Sequence, residues 1–287
     1  MNIVIGLCHN VPHWPNPFTQ KDYKISKIEL KIPVSRPDIL ITNNKTNHSI
    51  LFECKSSGNY LKEIQMQKYD RMRKNPSALI ESGKIPIIHK DQFKIDAAYS
   101  SFENLATNEL IIKYGMICLH VERLPNFKIK SIWKTNGTFI KKNLEEIFPI
   151  DTYLTEPPTF LYPFDENDIE MFTKEILNQL QRFGYNNKPF KTTQLLERCH
   201  SLWKFIDDKK KFETKATGIL LDLQKKGLKN YLKQDKQTGD WSVSIKPDSR
   251  SYQTFLKRCN EIIKILDYKS YQELLKTDFG DSYVEGL

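Results

Sequence analysis

Asp38, Glu53 and Lys55 are the residues whose types and spacing could do chemistry. They lie within PDILITNNKTNHSILFECK, residues 37–55. An acidic residue opens one apolar run, Ile39 to Thr42. Asn43, Asn44 and Asn47 follow as turn formers, and a second apolar run, Ile50 to Phe52, closes on Glu53, Cys54 and Lys55. β-Branched and aromatic residues on both sides of an asparagine-rich turn predict a β-hairpin. Side chains alternate along a strand, so Glu53 and Lys55 share a face, Cys54 takes the other, and Asp38 at the start of the partner strand can lie across from Glu53. A carboxylate at the end of an apolar strand is costly unless it is paired or metal-bound. Two carboxylates and a lysine converging there could hold a divalent cation and aim water at a phosphate.

Downstream, the stretch Tyr60 to Met72 reads as a helix. It carries Gln65 and Tyr69 four apart, on one helical face. Phe93 to Tyr99 and Met116 to Val121 read as further strands, with a helical stretch from Glu103 to Lys113 between them.

These features resemble the PD-(D/E)XK nuclease superfamily. Pro37-Asp38 matches its first element, Glu53-Cys54-Lys55 its second after a gap of 14 residues, and Gln65-Met66-Gln67-Lys68-Tyr69 the Q-x-x-x-Y element of one branch. The resemblance implies a Mg²⁺-dependent deoxyribonuclease, with Mn²⁺ able to substitute. Asp38, Glu53 and the Cys54 carbonyl would hold the metal, Lys55 would orient the attacking water, and Gln65 and Tyr69 would steady the site. Arg71, Arg73 and Lys74 would be available to the nucleic-acid backbone. Family members usually begin with a helix that adds an acidic residue. Met1 to Tyr23, with Pro12, Pro15 and Pro17, predicts no such helix, and Glu29, in the alternating stretch Ile25 to Ile32, is the candidate substitute. Cys8, His9 and His13 lie close together but lack a fourth ligand and receive no role.

The expected architecture is α/β. A restriction-endonuclease-like core, a mixed sheet with flanking helices, covers residues 1–148, closing with a hairpin of Ile129–Trp133 and Thr138–Ile140 about Asn136-Gly137. A proline-rich linker covers 149–165. A mostly helical, winged-helix-like domain covers 166–287. In this last part, helices are expected over Asp168–Phe183, ended by Gly184, then from Thr192 or Thr193 to Phe205, and over Phe212–Lys226. Strands at Lys229–Leu232 and Trp241–Ile245 flank a polar tip, and Tyr252–Leu266 is a closing helix.

Between Arg182 and Lys246 there are 15 Lys/Arg against 7 Asp/Glu, a surplus that nearly accounts for the +9 of the whole 287-residue chain. Lys209, Lys210, Lys211 and Lys215 fall ahead of or at the start of the third helix, and Lys225, Lys226, Lys229, Lys233 and Lys236 run into the wing, where a DNA backbone would need charge. A nuclease core followed by a winged helix is similar in layout to the end-cleaving subunit of certain transposons, to some restriction enzymes and to anti-phage effectors. The expected partners are therefore DNA, a second copy, since cutting both strands calls for two sites, and a protein docked on the C-terminal domain. A catalytically idle or partner-dependent DNA-binding subunit is the alternative. Five cysteines without a C-x-x-C pair suggest neither a disulfide framework nor a zinc ribbon. No apolar run reaches membrane-span length and the first ten residues carry no basic leader, so a cytoplasmic protein is expected.

Overall fold

The computed structural model describes residues 1–155 and 169–279, apart from residues 12, 34, 56, 86, 88, 125–127 and 187. The chain forms two units, Met1–Leu161 with Phe205–Asp208, and Tyr162–Lys204 with Lys209–Leu287. It is an α/β protein with a mostly helical C-terminal region. Among the described residues no helix is long and apolar enough to cross a membrane.

The first unit is built on a seven-stranded mixed sheet whose spatial order follows the sequence. Strands β1 (Lys24–Ile28), β2 (Ile39–Asn43) and β3 (His48–Lys55) form an antiparallel meander. Helices α3 (Glu63–Lys74) and α4 (Ser77–Glu81) then carry the chain over to β4 (Lys94–Ser101), parallel to β3. Helix α5 (Glu109–Lys113) leads into β5 (Ile117–Leu124), parallel to β4, and β6 (Lys128–Asn136) and β7 (Ile150–Thr155) return antiparallel. All five residues of β2 are buried, which is why its sequence reads as a continuous apolar run rather than an alternation. The β2–β3 turn works as its asparagines predict: Asn47 takes a left-handed φ of 52°, and the Asn43 side chain accepts the Thr46 N–H at 3.1 Å. One face of the sheet packs against α3 and α5 through Met66, Tyr69, Met72 and Ile111. Acidic Glu63 in the first turn of α3 and Arg71, Arg73 and Lys74 in its last turn suit the helix dipole.

Several sequence expectations are corrected here. The N-terminus does begin with helices, α1 (Asn2–Cys8) and α2 (Pro17–Gln20). The first ends before the prolines start and is apolar nearly all round, with Val4, Ile5, Leu7 and Cys8 buried, so it shows no amphipathic period. In the second, Pro17 stands in the first turn, where its missing N–H costs nothing. Strand β1 stops at Ile28, and Glu29 sits at a φ of 49°. Helix α5 is shorter than expected because Asn108 caps it, accepting the N–H groups of Leu110 and Ile111, while Glu103 accepts the Gly58 N–H instead of joining a helix.

Thr138–Ile140 forms no strand. Phe139 N–H donates to Glu145 and Ile140 N–H to Asp96, and the partner of β6 is β7, within the stretch expected to be linker. Pro149 precedes that strand, and β7 is the last in the sheet order, a place compatible with a flanking proline. The rest of the expected linker, 156–165, lies outside the described residues. Gly137 leaves β6 at a φ of 72°, and a Cβ there would meet the Ile117 backbone at 2.7 Å. Gly137→Ala is therefore expected to cost about 2–4 kcal/mol. Gly239→Ala, also at positive φ but facing open space, should cost about 1 kcal/mol, a contrast that urea unfolding of the two variants checks.

Phe205–Asp208 completes the first unit. Ile206 bridges Ile28 in parallel at the outer edge of β1, and Asp207 N–H donates to the Ile28 carbonyl at 3.1 Å. The Asp207 carboxylate accepts the Lys31 N–H at 2.8 Å and pairs with Lys84.

The second unit consists of α6 (Ile169–Asn186), α7 (Thr192–Cys199), α8 (Lys209–Lys226), a hairpin of β8 (Leu232–Gln234) and β9 (Trp241–Val243), and α9 (Arg250–Phe279). Its core gathers Phe172, Leu180, Leu196, Phe212, Leu220, Trp241 and Phe255. Gly184 does not end α6. It lies inside the helix, where a Cβ would sit 3.0 Å from Ile245 and Phe255, so its role is close packing. Helix α7 stops at Cys199 because His200 turns extended and its Nδ1 accepts the Leu202 N–H at 3.0 Å. At its start the Gln194 side-chain oxygen accepts the Lys191 N–H at 2.8 Å, and no threonine side chain serves as the cap. Helix α8 starts before the expected Phe212, and β8 lies slightly later than its predicted strand.

Candidate active site

The hairpin register carries the site. Ile39 pairs with Phe52 in the antiparallel β2–β3 ladder, so Asp38, one residue before, stands across from Glu53. The Asp38 Oδ2 accepts the Cys54 N–H at 2.7 Å, which ties the loop before β2 to the end of β3. Glu53 is almost fully buried, at 4% exposure. Its Oε1 pairs with the Lys55 ammonium at 2.6 Å, and its Oε2 accepts the Tyr69 hydroxyl at 2.5 Å. Gln65 Nε2 donates to that hydroxyl oxygen at 3.2 Å from one turn earlier on α3. Glu53, Lys55, Tyr69 and Gln65 therefore form one bonded set, to which Asp38 is joined through the backbone N–H of Cys54, between Glu53 and Lys55.

The electrostatics are those of two crowded carboxylates. Removal from water, and then the neighbouring Glu53, push the Asp38 carboxyl up to about 7, against the opposing pull of the Cys54 N–H. Burial and the Glu53 charge hold the Tyr69 hydroxyl protonated, so it acts as a donor. The Cys54 thiol, shielded from water, is pushed up to about 12 and is no nucleophile at neutral pH.

Residues that the sequence did not single out complete the surroundings. Tyr99 pairs with Glu53 in the β3–β4 ladder, fully buried, with its ring 6.1 Å from that of Tyr69. A cleft of about 710 Å³ opens beside Lys55, lined by Ser35, Arg36, Lys62, Glu63, Gln65 and Lys68. The Arg36 guanidinium is held by Asp208 at 2.6 Å and by Glu29 at 3.4 Å. Adjacency to Pro37-Asp38 was the available signal for Arg36; nothing local marked Tyr99.

Other expected site residues are placed elsewhere. The Glu29 carboxylate is taken up by Arg36, and helix α1, NIVIGLC, offers no acidic side chain. Among the described residues no three His, Cys, Asp or Glu side chains form a metal-ligating group. Arg73 holds the carbonyls of Tyr114 and Gly115, each at 3.0 Å, and Lys74 pairs with Asp70. In the second unit Lys210, Lys225, Lys226, Lys229, Lys233 and Lys236 are exposed, whereas Lys209, Lys211 and Lys215 are half-buried. The Lys209 ammonium lies over the Trp203 ring at 5.2 Å and that of Lys215 over Phe172 at 6.0 Å. Between the basic ends of α8 the exposed residues are Thr214, Gly218 and Asp222, so charge is concentrated at the helix ends and on the hairpin.

Residues 165–278 match the family model of a domain of unknown function, DUF8601. A protein of Methanocaldococcus jannaschii described as uncharacterized protein MJECL32 is 25% identical over 203 residues, covering 63% of this chain. The match spans 44% of that relative's length. No solved structure matches the chain. Residues 1–162, more than half of the chain, match the family model of the MJECL32 domain, and the chain belongs to that family.

Proposed function

We propose that the protein is a metal-dependent endonuclease that hydrolyses DNA phosphodiester bonds, with a PD-(D/E)XK-type site on β2, β3 and α3. The observation that carries this reading is the connected set Asp38, Glu53, Lys55, Tyr69 and Gln65, in which a buried carboxylate holds a lysine on one side and a tyrosine on the other. Strand order supports it as well, since a three-stranded meander, a crossover helix and a parallel fourth strand suit that core. The donor set fits a hard divalent cation: the Asp38 carboxyl, raised by burial and by the facing Glu53 charge, is relieved by Mg²⁺ or Mn²⁺. The Cys54 carbonyl is the third donor in this reading. Bound there, the metal would supply a water of lowered pKa and screen the phosphate charge.

The protein's own residues do the rest. Tyr69, steadied by Gln65, fixes one Glu53 oxygen and Lys55 the other, so the carboxylate cannot rotate away from Asp38. Lys55, partly exposed beside the cleft, orients the attacking water and stabilises charge building on phosphorus. Lys62 and Lys68, exposed along the cleft, offer cations to the flanking phosphates. The second unit is proposed as a winged-helix-like DNA-binding module. The three helices before its hairpin, the hairpin itself and the bridge from Phe190 to Trp241 support that reading, and the exposed lysines of the α8 end and the hairpin would contact backbone phosphate. A second copy would supply the second site for a double-strand cut, and restriction, anti-phage defence or mobile-element processing are the settings such an activity would serve.

One observation favours a second reading, an idle or partner-dependent DNA-binding subunit: no third acidic side chain among the described residues joins Asp38 and Glu53. Incubation with supercoiled plasmid in Mg²⁺ or Mn²⁺ separates the two. Nicking or linearisation that vanishes in EDTA and in folded Asp38→Asn supports the nuclease. Absence of cutting by wild type, with DNA still retarded in a low-salt gel, supports the second reading.

A further inference from the structure

The sheet register runs past the hairpin in one row. Lys55 pairs with Ser101, Ser101 with His120, and His120 with Trp133. Register partners share a face, so these four side chains lie side by side on the face that carries Glu53. At about 4.8 Å per strand, His120 stands about 10 Å and Trp133 about 14 Å from Lys55. Ser101 is buried, His120 half-buried, and Trp133 is 41% exposed. The indole is anchored by its edge. Its Nε1 donates to Ser131 Oγ at 2.8 Å, and Ser131 in turn donates to Glu122 at 2.7 Å, so the ring is held in place with area open to solvent. The His120 Nδ1 has no hydrogen-bond partner among the described residues.

We propose that this row is a substrate strip on which an unpaired nucleobase stacks on Trp133 while the same strand's backbone lies at Lys55, so that the strand handled at this site is single-stranded or frayed. Inside a duplex the base faces are hidden in the stack, and only an unpaired base can offer its face to an exposed indole. A pre-anchored ring loses little freedom on stacking. Continuity through Lys55 with the cleft, where Lys62 and Lys68 are exposed cations, favours a polyanionic strand over an apolar peptide as the occupant. Burial keeps the His120 imidazole below its ordinary proton affinity, so at neutral pH it meets the strand as an uncharged hydrogen-bonding ring. The inference rests on the nuclease reading only for the chemistry at Lys55.

The chain carries its own probe. Of its four tryptophans, Trp14, Trp203 and Trp241 are buried and Trp133 is exposed. Intact protein in EDTA is titrated with a short oligodeoxyadenylate, the same strand in a duplex, and an abasic strand of equal length, following tryptophan emission. Quenching by the base-bearing single strand, little by the other two, and its loss in Trp133→Phe are the expected results. Trp133→Ala, at an exposed position, should weaken single-strand binding about tenfold and leave duplex binding unchanged. Equal quenching by the abasic strand, or undiminished single-strand affinity in Trp133→Ala, overturns the strip even if the wild type cuts DNA. Base-dependent quenching by a protein that hydrolyses nothing in Mg²⁺ or Mn²⁺ upholds the strip and removes the nuclease reading instead.

Discussion

Asp38→Asn is expected to abolish metal-dependent cleavage and, at the same time, to make the metal-free protein more stable. The Asp38 carboxyl is pushed up to about 7, whereas in the unfolded chain it titrates near 4. Between those values the folded state holds a proton that the unfolded state has released, so wild-type stability falls as pH rises from about 4 to about 7 and is level above that. Asparagine removes the charge while its side-chain oxygen can still accept the Cys54 N–H. In EDTA at pH 8 the gain should be on the order of 2–4 kcal/mol, shrinking through pH 6 and vanishing near pH 4. Urea unfolding at a series of pH values measures it. A variant no more stable than wild type at pH 8 would show that neither burial nor the Glu53 charge disfavours the Asp38 carboxylate in the folded chain.

Lys55→Met should move stability the other way. Glu53 is buried, and the Lys55 ammonium at 2.6 Å is its counter-charge. Removing that partner leaves a desolvated carboxylate on the Tyr69 hydroxyl, at a cost of about 3–5 kcal/mol. On the nuclease reading, in which Lys55 stabilises charge on phosphorus, cleavage should fall at least about 100-fold. Glu53→Gln combined with Lys55→Met should recover most of the lost stability and none of the activity, a non-additivity that belongs to residues in direct contact. Two variants that lose the same activity while shifting stability in opposite directions separate damage to the chemistry from damage to the fold. Equal and opposite results, with Lys55→Met stable and Asp38→Asn unstable, would invert the charge assignment at Glu53.

How much of this was legible in the sequence depended on whether the relevant contact was local. The Asp38 to Lys55 hairpin was readable because its turn residues and its apolar runs lie within one short stretch, and Gln65 and Tyr69 because a helix brings residues four apart together. Helix α1 was hidden by being apolar on every side, which leaves no period to detect. Strand β7 was masked by the prolines around it, although Ile150–Thr155 itself contains none. The row from Lys55 to Trp133 could not be read at all. It joins residues far apart through two parallel ladders and one antiparallel ladder, and pairing registers of that kind are set by packing. The extent of α6 was misjudged for a related reason: Gly184 looks like a stop signal locally, and only its closeness to Ile245 and Phe255 shows that it is a packing residue.

The four residues Phe205–Asp208 give the order of synthesis a physical meaning. All seven strands of the large sheet have been made by residue 155, but the outer edge of β1 receives Ile206 only after 51 further residues have followed Thr155. A nascent chain emerges at about 5–20 residues per second, so for some seconds that edge stands open as a template for another strand. Lys24 and Lys27 on β1 are charges of the kind that discourage a neighbouring nascent chain from adding to an open sheet edge before its own segment arrives.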